Sequence, residues 1–288
     1  MSAIRNIICS FILSLVFFAA LDANVLAEQF NRDSIVSYDI TNDGVEDTVT
    51  FIRDGVDEDD RASAFKVTIN GNEALVLDSS DPDIEFGYFS FEHKLVTIKG
   101  KNYLFIHLGG DNDDGPSKLY GYGDGRLKGL IDFTSMQRCR WIDSVKVKGN
   151  KLIVDMQDSG VSGLGLMTFR TIYSYKNGDF KLKSKEHKIM NYANMMTGNT
   201  EYTGKITTRR AFQLYSDKKG KKKSVYIPAN VKVKAKRIYI DKKYCAVYIE
   251  GGKYKGWYTS KYFNKLNDSY YYDTGYIVDL FKEVGGVA

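Results

Sequence analysis

Histidine and cysteine are scarce in this 288-residue chain, with three of each. His93, His107 and His187 show no metal-type spacing, which excludes the familiar zinc patterns. His107 alternates within an apolar run and reads as a core or turn-edge residue. Cys139 sits in Gln137-Arg138-Cys139-Arg140-Trp141 without a thiol-protease signature. Its flanking arginines can lower a thiol pKa, yet burial is the commoner fate. The phosphate-loop pattern is absent. Gly160-Val161-Ser162-Gly163-Leu164 misses a nucleophile elbow because Leu164 replaces the second glycine. Carboxylate pairs such as Asp57 and Asp60 are plentiful, but spacing alone does not separate a glycosidase pair from a wet acidic loop. No helical period of ten or more residues occurs before position 186.

Long apolar runs are also missing, except at the N-terminus. Arg5 precedes the run Ile7 to Ala20, and Val25-Leu26-Ala27 offers the small residues of a processing site. This pattern predicts an export signal cleaved after Ala27. The run is short for a membrane span and no stop-transfer flank follows it; a retained anchor is the alternative. Cys9 lacks the small residues that precede a lipid-modified cysteine. The processed chain keeps Cys139 and Cys245, which either pair in an oxidising compartment or lie buried as thiols.

Length allows one large or two medium domains. Charge divides the chain. From Glu28 to Thr200 there are 21 Lys and Arg against 27 Asp and Glu, a net −6; from Glu201 to Ala288 there are 19 against 8, a net +11. The polar stretch 191–203 between them reads as a linker. The expected organisation is a signal (1–27), an acidic β-domain (28–190), the linker, a small barrel (204–264) and a helical tail (265–288).

Both halves read as all-β. Alternating runs flank turn dipeptides: Phe65 to Ile69 before Asn70-Gly71, and Leu95 to Ile98 and Tyr103 to Leu108 around Lys99-Gly100. Val145-Lys146-Val147 and Leu152 to Val154 flank Gly149-Asn150; Leu166 to Tyr175 and Phe180 to Leu182 flank Asn177-Gly178. This predicts an antiparallel meander with one face packed and one wet. Five short strands follow, at 205–215, 224–227, 231–240, 244–250 and 256–259, a density that suits a small barrel. Asp273 or Thr274 then caps an expected helix whose apolar face is Ile277, Leu280, Phe281 and Val284, ended by Gly285-Gly286.

The loop Asp39 to Asp47 places oxygen-bearing side chains at alternate positions with Gly44 at the bend. Short loops wrap hard cations in this way. The candidate ligands are Asp39, Thr41, Asp43, the Val45 carbonyl and Asp47. Thr50 stands where an EF-hand needs a bidentate Glu, so an EF-hand is excluded. An Asx-rich turn without metal is the plainer alternative. The loop resembles the calcium loops of secreted bacterial VCBS and FG-GAP β-repeat proteins, with Asn42 in place of the usual glycine. Over residues 34–185 that resemblance implies propeller-blade-like sheets and structural Ca2+ on those five ligands. Asp111 to Asp114 is a further acidic cluster, either a second ion site or a solvated turn.

The basic half carries Ala211 to Ser216, Ile227-Pro228-Ala229-Asn230-Val231-Lys232-Val233 and Tyr254-Lys255-Gly256-Trp257-Tyr258. These segments resemble bacterial SH3-like domains over residues 204–264. The resemblance implies attachment to cell wall, or binding of wall peptide or glycan. Thirteen of the 21 tyrosines lie after position 200, and aromatic faces with polar tips suit such contacts. Lys221, Lys222 and Lys223, with Lys218 and Lys219, form a basic tip that can steer the chain toward anionic polymer or lipid headgroups, or that merely blunts an edge strand. Trp257 is a ligand platform or a barrel core residue; Tyr254 and Tyr258 flank it.

The expectation is therefore a secreted or envelope-held, non-catalytic, calcium-stabilised binding protein. Its partners would be cell-wall glycan, peptide or anionic polymer, with no nucleic acid and no membrane span after processing. The alternatives are a wall hydrolase with an SH3-like targeting domain, or a structural or inhibitory partner of another exported protein.

Overall fold

In the computed structural model the described residues are 33–78, 90–109, 115–136, 139–158, 166–194, 199–202, 205–241, 245–259 and 280–282. They form antiparallel sheets and contain no helix. The expected signal, the Asp111 to Asp114 cluster and most of the expected C-terminal helix lie outside them.

The first sheet is a meander of β1 (Ser34–Tyr38), β2 (Asp47–Val56), β3 (Ala62–Ile69) and β4 (Asn72–Asp78). The second repeats the plan with β5 (Ser90–Ile98), β6 (Lys101–Gly109), β7 (Ser117–Gly123) and β8 (Arg126–Asp132). A third run of hairpins comprises β9 (Cys139–Lys148), β10 (Lys151–Asp158), β11 (Leu166–Lys176) and β12 (Asp179–Leu182). The two-residue turns Asn70-Gly71, Lys99-Gly100 and Asn177-Gly178 hold both residues at positive φ. That backbone matches the twist of the strands they join.

The three units stack as layers. β6 explains how: from Tyr103 to Gly109 every residue is buried. Tyr103 and Phe105 join the core shared with the third unit, whereas Leu104, Ile106 and Leu108 join the core shared with the first sheet. The sequence pattern predicted one wet face per strand. At β6 both faces are covered, as in any middle layer, and the apolar run Tyr103 to Leu108, interrupted only by His107, carries that information.

The remaining strands are β13 (Glu186–Asn194), β14 (Asn199–Tyr202), β15 (Ile206–Thr207), β16 (Phe212–Tyr215), β17 (Lys223–Ile227), β18 (Lys232–Ile240), β19 (Cys245–Gly251) and β20 (Tyr254–Tyr258). They extend the third unit into one sheet ordered β17-β16-β20-β19-β18-β13-β11-β10-β9. The expected closed barrel over 204–264 is therefore corrected: its strands lie in an open sheet. β18 pairs with β19 on one side and offers Arg237 to Tyr239 to β13 on the other, so its edge continues into the first half. Within the stretch expected as a linker, residues 191–194 complete β13, and β14 folds back on it.

The C-terminal segment is extended where it is described. Phe281 bridges Thr208, Arg209 N donates to Leu280 O at 2.8 Å, and Lys282 N donates to Thr207 O at 2.9 Å. Leu280 and Phe281 are buried, as their apolar character required, but on a strand-like backbone rather than one face of a helix. Cys245 is a buried thiol on β19, and the side chain of Cys139 is outside the described residues.

Candidate functional site

The Asp39 to Asp47 loop connects β1 and β2 at the edge facing the second sheet. Asn42 and Gly44 take positive φ, at 63° and 88°, and fold the loop back on itself. Asp47 is 4% exposed and anchors the return. Its Oδ2 accepts from Ile40 N (3.0 Å) and Thr41 N (2.9 Å), and its Oδ1 from Asn70 Nδ2 (2.7 Å). Burial alone would raise the Asp47 carboxyl, but these donors outweigh it and hold the pKa below the ordinary value. Asp39 Oδ1 accepts from Asp43 N, and Asp43 Oδ1 from Val45 N.

The expected ligands thus have divided roles. Asp47 is largely spent on the turn, whereas Asp39 and Asp43 each use one oxygen on it. The Thr41 hydroxyl oxygen is buried without a hydrogen-bond partner of ordinary geometry. It lies against the Asp47 carboxylate, whose pKa it helps to lower, so the oxygen-rich donor set suits a hard cation in chemistry but the hydroxyl does not by itself call for one. Among the described residues no three His, Cys, Asp or Glu side chains come together closely enough to hold a metal.

The second expected site centres on Trp257. It is 6% exposed, yet it is not part of the main core cluster. Alternation along β20 puts Trp257 on the outer sheet face and turns Tyr254 and Tyr258 toward the core, where Tyr258 meets Phe212 edge-on at 5.2 Å. The three aromatics therefore do not form one platform. Gly256 lets β16 approach, since a Cβ there would lie 2.8 Å from the Tyr215 carbonyl oxygen.

Trp257 is covered by cations instead. Lys218 Nζ lies 4.5 Å from the Tyr239 ring centre and 5.4 Å from that of Trp257. The Arg237 guanidinium lies 4.6 Å from Tyr248 and 5.5 Å from Trp257. Glu186 joins the two cations, pairing with Lys218 through Oε1 and with Arg237 through Oε2 at 2.9 Å. Cation–π contact and ion pairing reinforce each other here. Lys221, Lys222 and Lys223 are exposed nearby. Asp217 shapes their loop by accepting the backbone N–H groups of Lys219, Lys221 and Lys222.

No protein-family model, no curated protein and no solved structure matches the chain.

The sequence reading missed Glu186, Arg237, Tyr239 and Tyr248. Their alternation within strands was visible. Their convergence needed the pairing of Glu186 with Tyr239, which joins segments about fifty residues apart, together with the local pairing of Arg237 with Tyr248. All three histidines have structural settings. His93 stacks on Phe51 at 4.1 Å, His107 bonds the Ser117 hydroxyl at 2.8 Å, and His187 is buried beside Thr171. A shallow open depression at three hairpin tips is lined by Lys99, Lys101, Asn150, Tyr175, Lys176 and Asn177.

Proposed function

We propose that the chain is an exported, non-catalytic binding protein of a bacterial envelope that holds anionic wall polymer or peptide through its basic, SH3-like half. The observation that carries this reading is the assembly around Trp257. There, Glu186 pre-positions the cations Lys218 and Arg237 over the covered Trp257 ring on the outer sheet face, with the lysine tip 221–223 beside them. Cations already fixed at a surface lose little entropy on binding an extended polymer.

In this reading Ca2+ is a structural ion of the β1–β2 loop. Asp39, Thr41, Asp43 and the Val45 carbonyl would hold it, with Asp47 fixing the turn. Its contribution is to stabilise the folded state, as any ligand of the folded chain does.

The test is co-sedimentation with purified, insoluble cell wall. The wild-type chain is expected to pellet with it. Replacing Lys221, Lys222 and Lys223 by Gln should reduce retention at low salt much more than at high salt, because exposed charges are screened. A wild-type chain that stays in the supernatant at low salt would end this reading.

A further inference from the structure

We propose that the outer face of the large sheet, centred on β9 to β13, is the main ligand-bearing surface and that its ligand is a polyanionic glycan. This rests on the envelope-binding reading above and deepens it. It also moves the surface into the half that the sequence counts as acidic.

The sheets redraw the charge boundary. Residues 33–132, which make the first two sheets, contain 9 Lys and Arg against 21 Asp and Glu, a net −12. Residues 139–258, which make the large sheet, contain 26 against 9, a net +17. The sign changes where the large sheet begins, about sixty residues before the boundary at Thr200.

Register then concentrates the cations on one side. Residues directly opposite in an antiparallel pair share a face. Arg170 stands opposite Lys188, and Lys188 opposite Arg237. The same row runs on through Tyr248, Trp257 and Tyr215 to Lys223, and so crosses seven strands. Two further rows lie beside it. Lys148 faces Lys151, which faces Ser174, which faces Lys181; Lys146 faces Ile153. The alternate residues Leu152, Val154, Phe169 and Tyr173 point into the core, so the lysine side is the outer side.

Lys146, Lys148, Lys151, Lys181, Lys183 and Lys188 are all exposed. None pairs with a carboxylate among the described residues. Protection of sheet edges accounts for lysines on β9, an edge strand, but not for those on β10 and β13 in the interior. Lysines directly opposed across neighbouring strands, about 4.8 Å apart, repel one another. Spacings below the Debye length of about 8 Å make them act as one field. An extended polyanion relieves that repulsion.

The face favours a glycan over other polyanions. Single-stranded nucleic acid needs open aromatic faces for base stacking, and Trp257 is sealed beneath Lys218 and Arg237. A bilayer surface calls for apolar anchors. Among the described residues, the large apolar side chains exposed on β9 to β13 are Val147 and Leu182, which stand opposite Leu152 and Tyr173 on the inner side, not on the lysine side.

The experiment measures binding of the full chain to fluorescent polygalacturonate, with oligothymidine and phosphatidylglycerol vesicles in parallel. Two triple variants are compared: Lys146→Glu with Lys148→Glu and Lys151→Glu, and Lys221→Glu with Lys222→Glu and Lys223→Glu. The face variant should lose affinity about tenfold or more at low salt and lose much of its salt dependence, with a smaller loss for the loop variant. Circular dichroism and melting check the fold, and a Lys→Gln face set replaces the Glu set if that set unfolds. Unchanged affinity in the face variant overturns the proposal, as does a loss confined to the loop variant. Tighter binding of oligothymidine or vesicles than of polygalacturonate overturns the choice of glycan. A wild-type chain that binds polygalacturonate but not cell wall ends the envelope reading and leaves the surface; one that binds neither ends both.

Discussion

Asn42 of the first sheet grips Asn102 of the second: its Oδ1 accepts from Asn102 N, and its Nδ2 donates to Asn102 O at 3.3 Å. Asn102 Nδ2 returns the contact to Asp39 O at 2.6 Å. The position where the resembled calcium loops carry glycine is thus the one that docks this loop on the next layer. Asn tolerates the required φ of 63° and supplies a side chain that glycine lacks. Asn42→Gly should therefore destabilise the chain by about 1–2 kcal/mol although it restores the glycine of the loop pattern. Urea unfolding is the measurement, and a variant of equal or greater stability would show that the contact contributes nothing.

Asp43 and Asp47 should respond differently to chelation. Asp43→Ala is expected to lower the melting temperature in calcium, with little additional effect of chelator on the variant. Asp47→Asn leaves one acceptor oxygen where two served three N–H donors, turns the other into a donor, and should cost about 2 kcal/mol with or without calcium. Melting curves of both variants and the wild type in calcium and in chelator separate the two roles. Equal chelator sensitivity of Asp43→Ala and wild type would eliminate the metal assignment.

His187 sets an acid limit on stability. Burial pushes its pKa down to about 4, only partly opposed by the nearby Glu186. The unfolded chain takes up the proton from about pH 6.5 downward, while the folded chain resists until about pH 4. Stability is therefore full above pH 6.5 and falls as pH drops, by about 2 kcal/mol at pH 5 and about 3 kcal/mol once pH is below 4. Its Nε2 has no partner in the core, so His187→Leu should raise stability at pH 5 and flatten the limb. Urea midpoints at pH 7 and pH 5 decide; an unchanged difference between them would exclude His187 as the cause.

Glu186 is expected to keep Trp257 covered. Glu186→Gln removes the charge that holds both Lys218 and Arg237. In a Trp141→Phe background, where Trp257 is the single tryptophan, acrylamide quenching should increase with little change in melting temperature. Quenching identical to that of the parent would mean that the cations stay in place without the carboxylate.

The strands were legible because β-structure writes its period locally. The hairpin at Asn70-Gly71 and the long strand over 232–240 stand where alternation and turn chemistry put them. The loop at Asp39 was legible as a loop. The role of Asn42 was not, because its partner is sixty residues away. The short apolar segment at Leu280 to Phe281 misled for a related reason: burial was correctly indicated, but two buried residues do not distinguish a helix face from a bridge to Thr208.

Composition, alternation and turn residues by themselves determined an all-β chain with an acidic beginning and a basic end. Tertiary structure decided that β13 would join β11 to β18, that Trp257 would face outward under Lys218 and Arg237, and that scattered lysines would align on one side. A strand carries its own two-faced pattern, but which neighbour it pairs with, and in what register, depends on contacts that form only when distant segments meet.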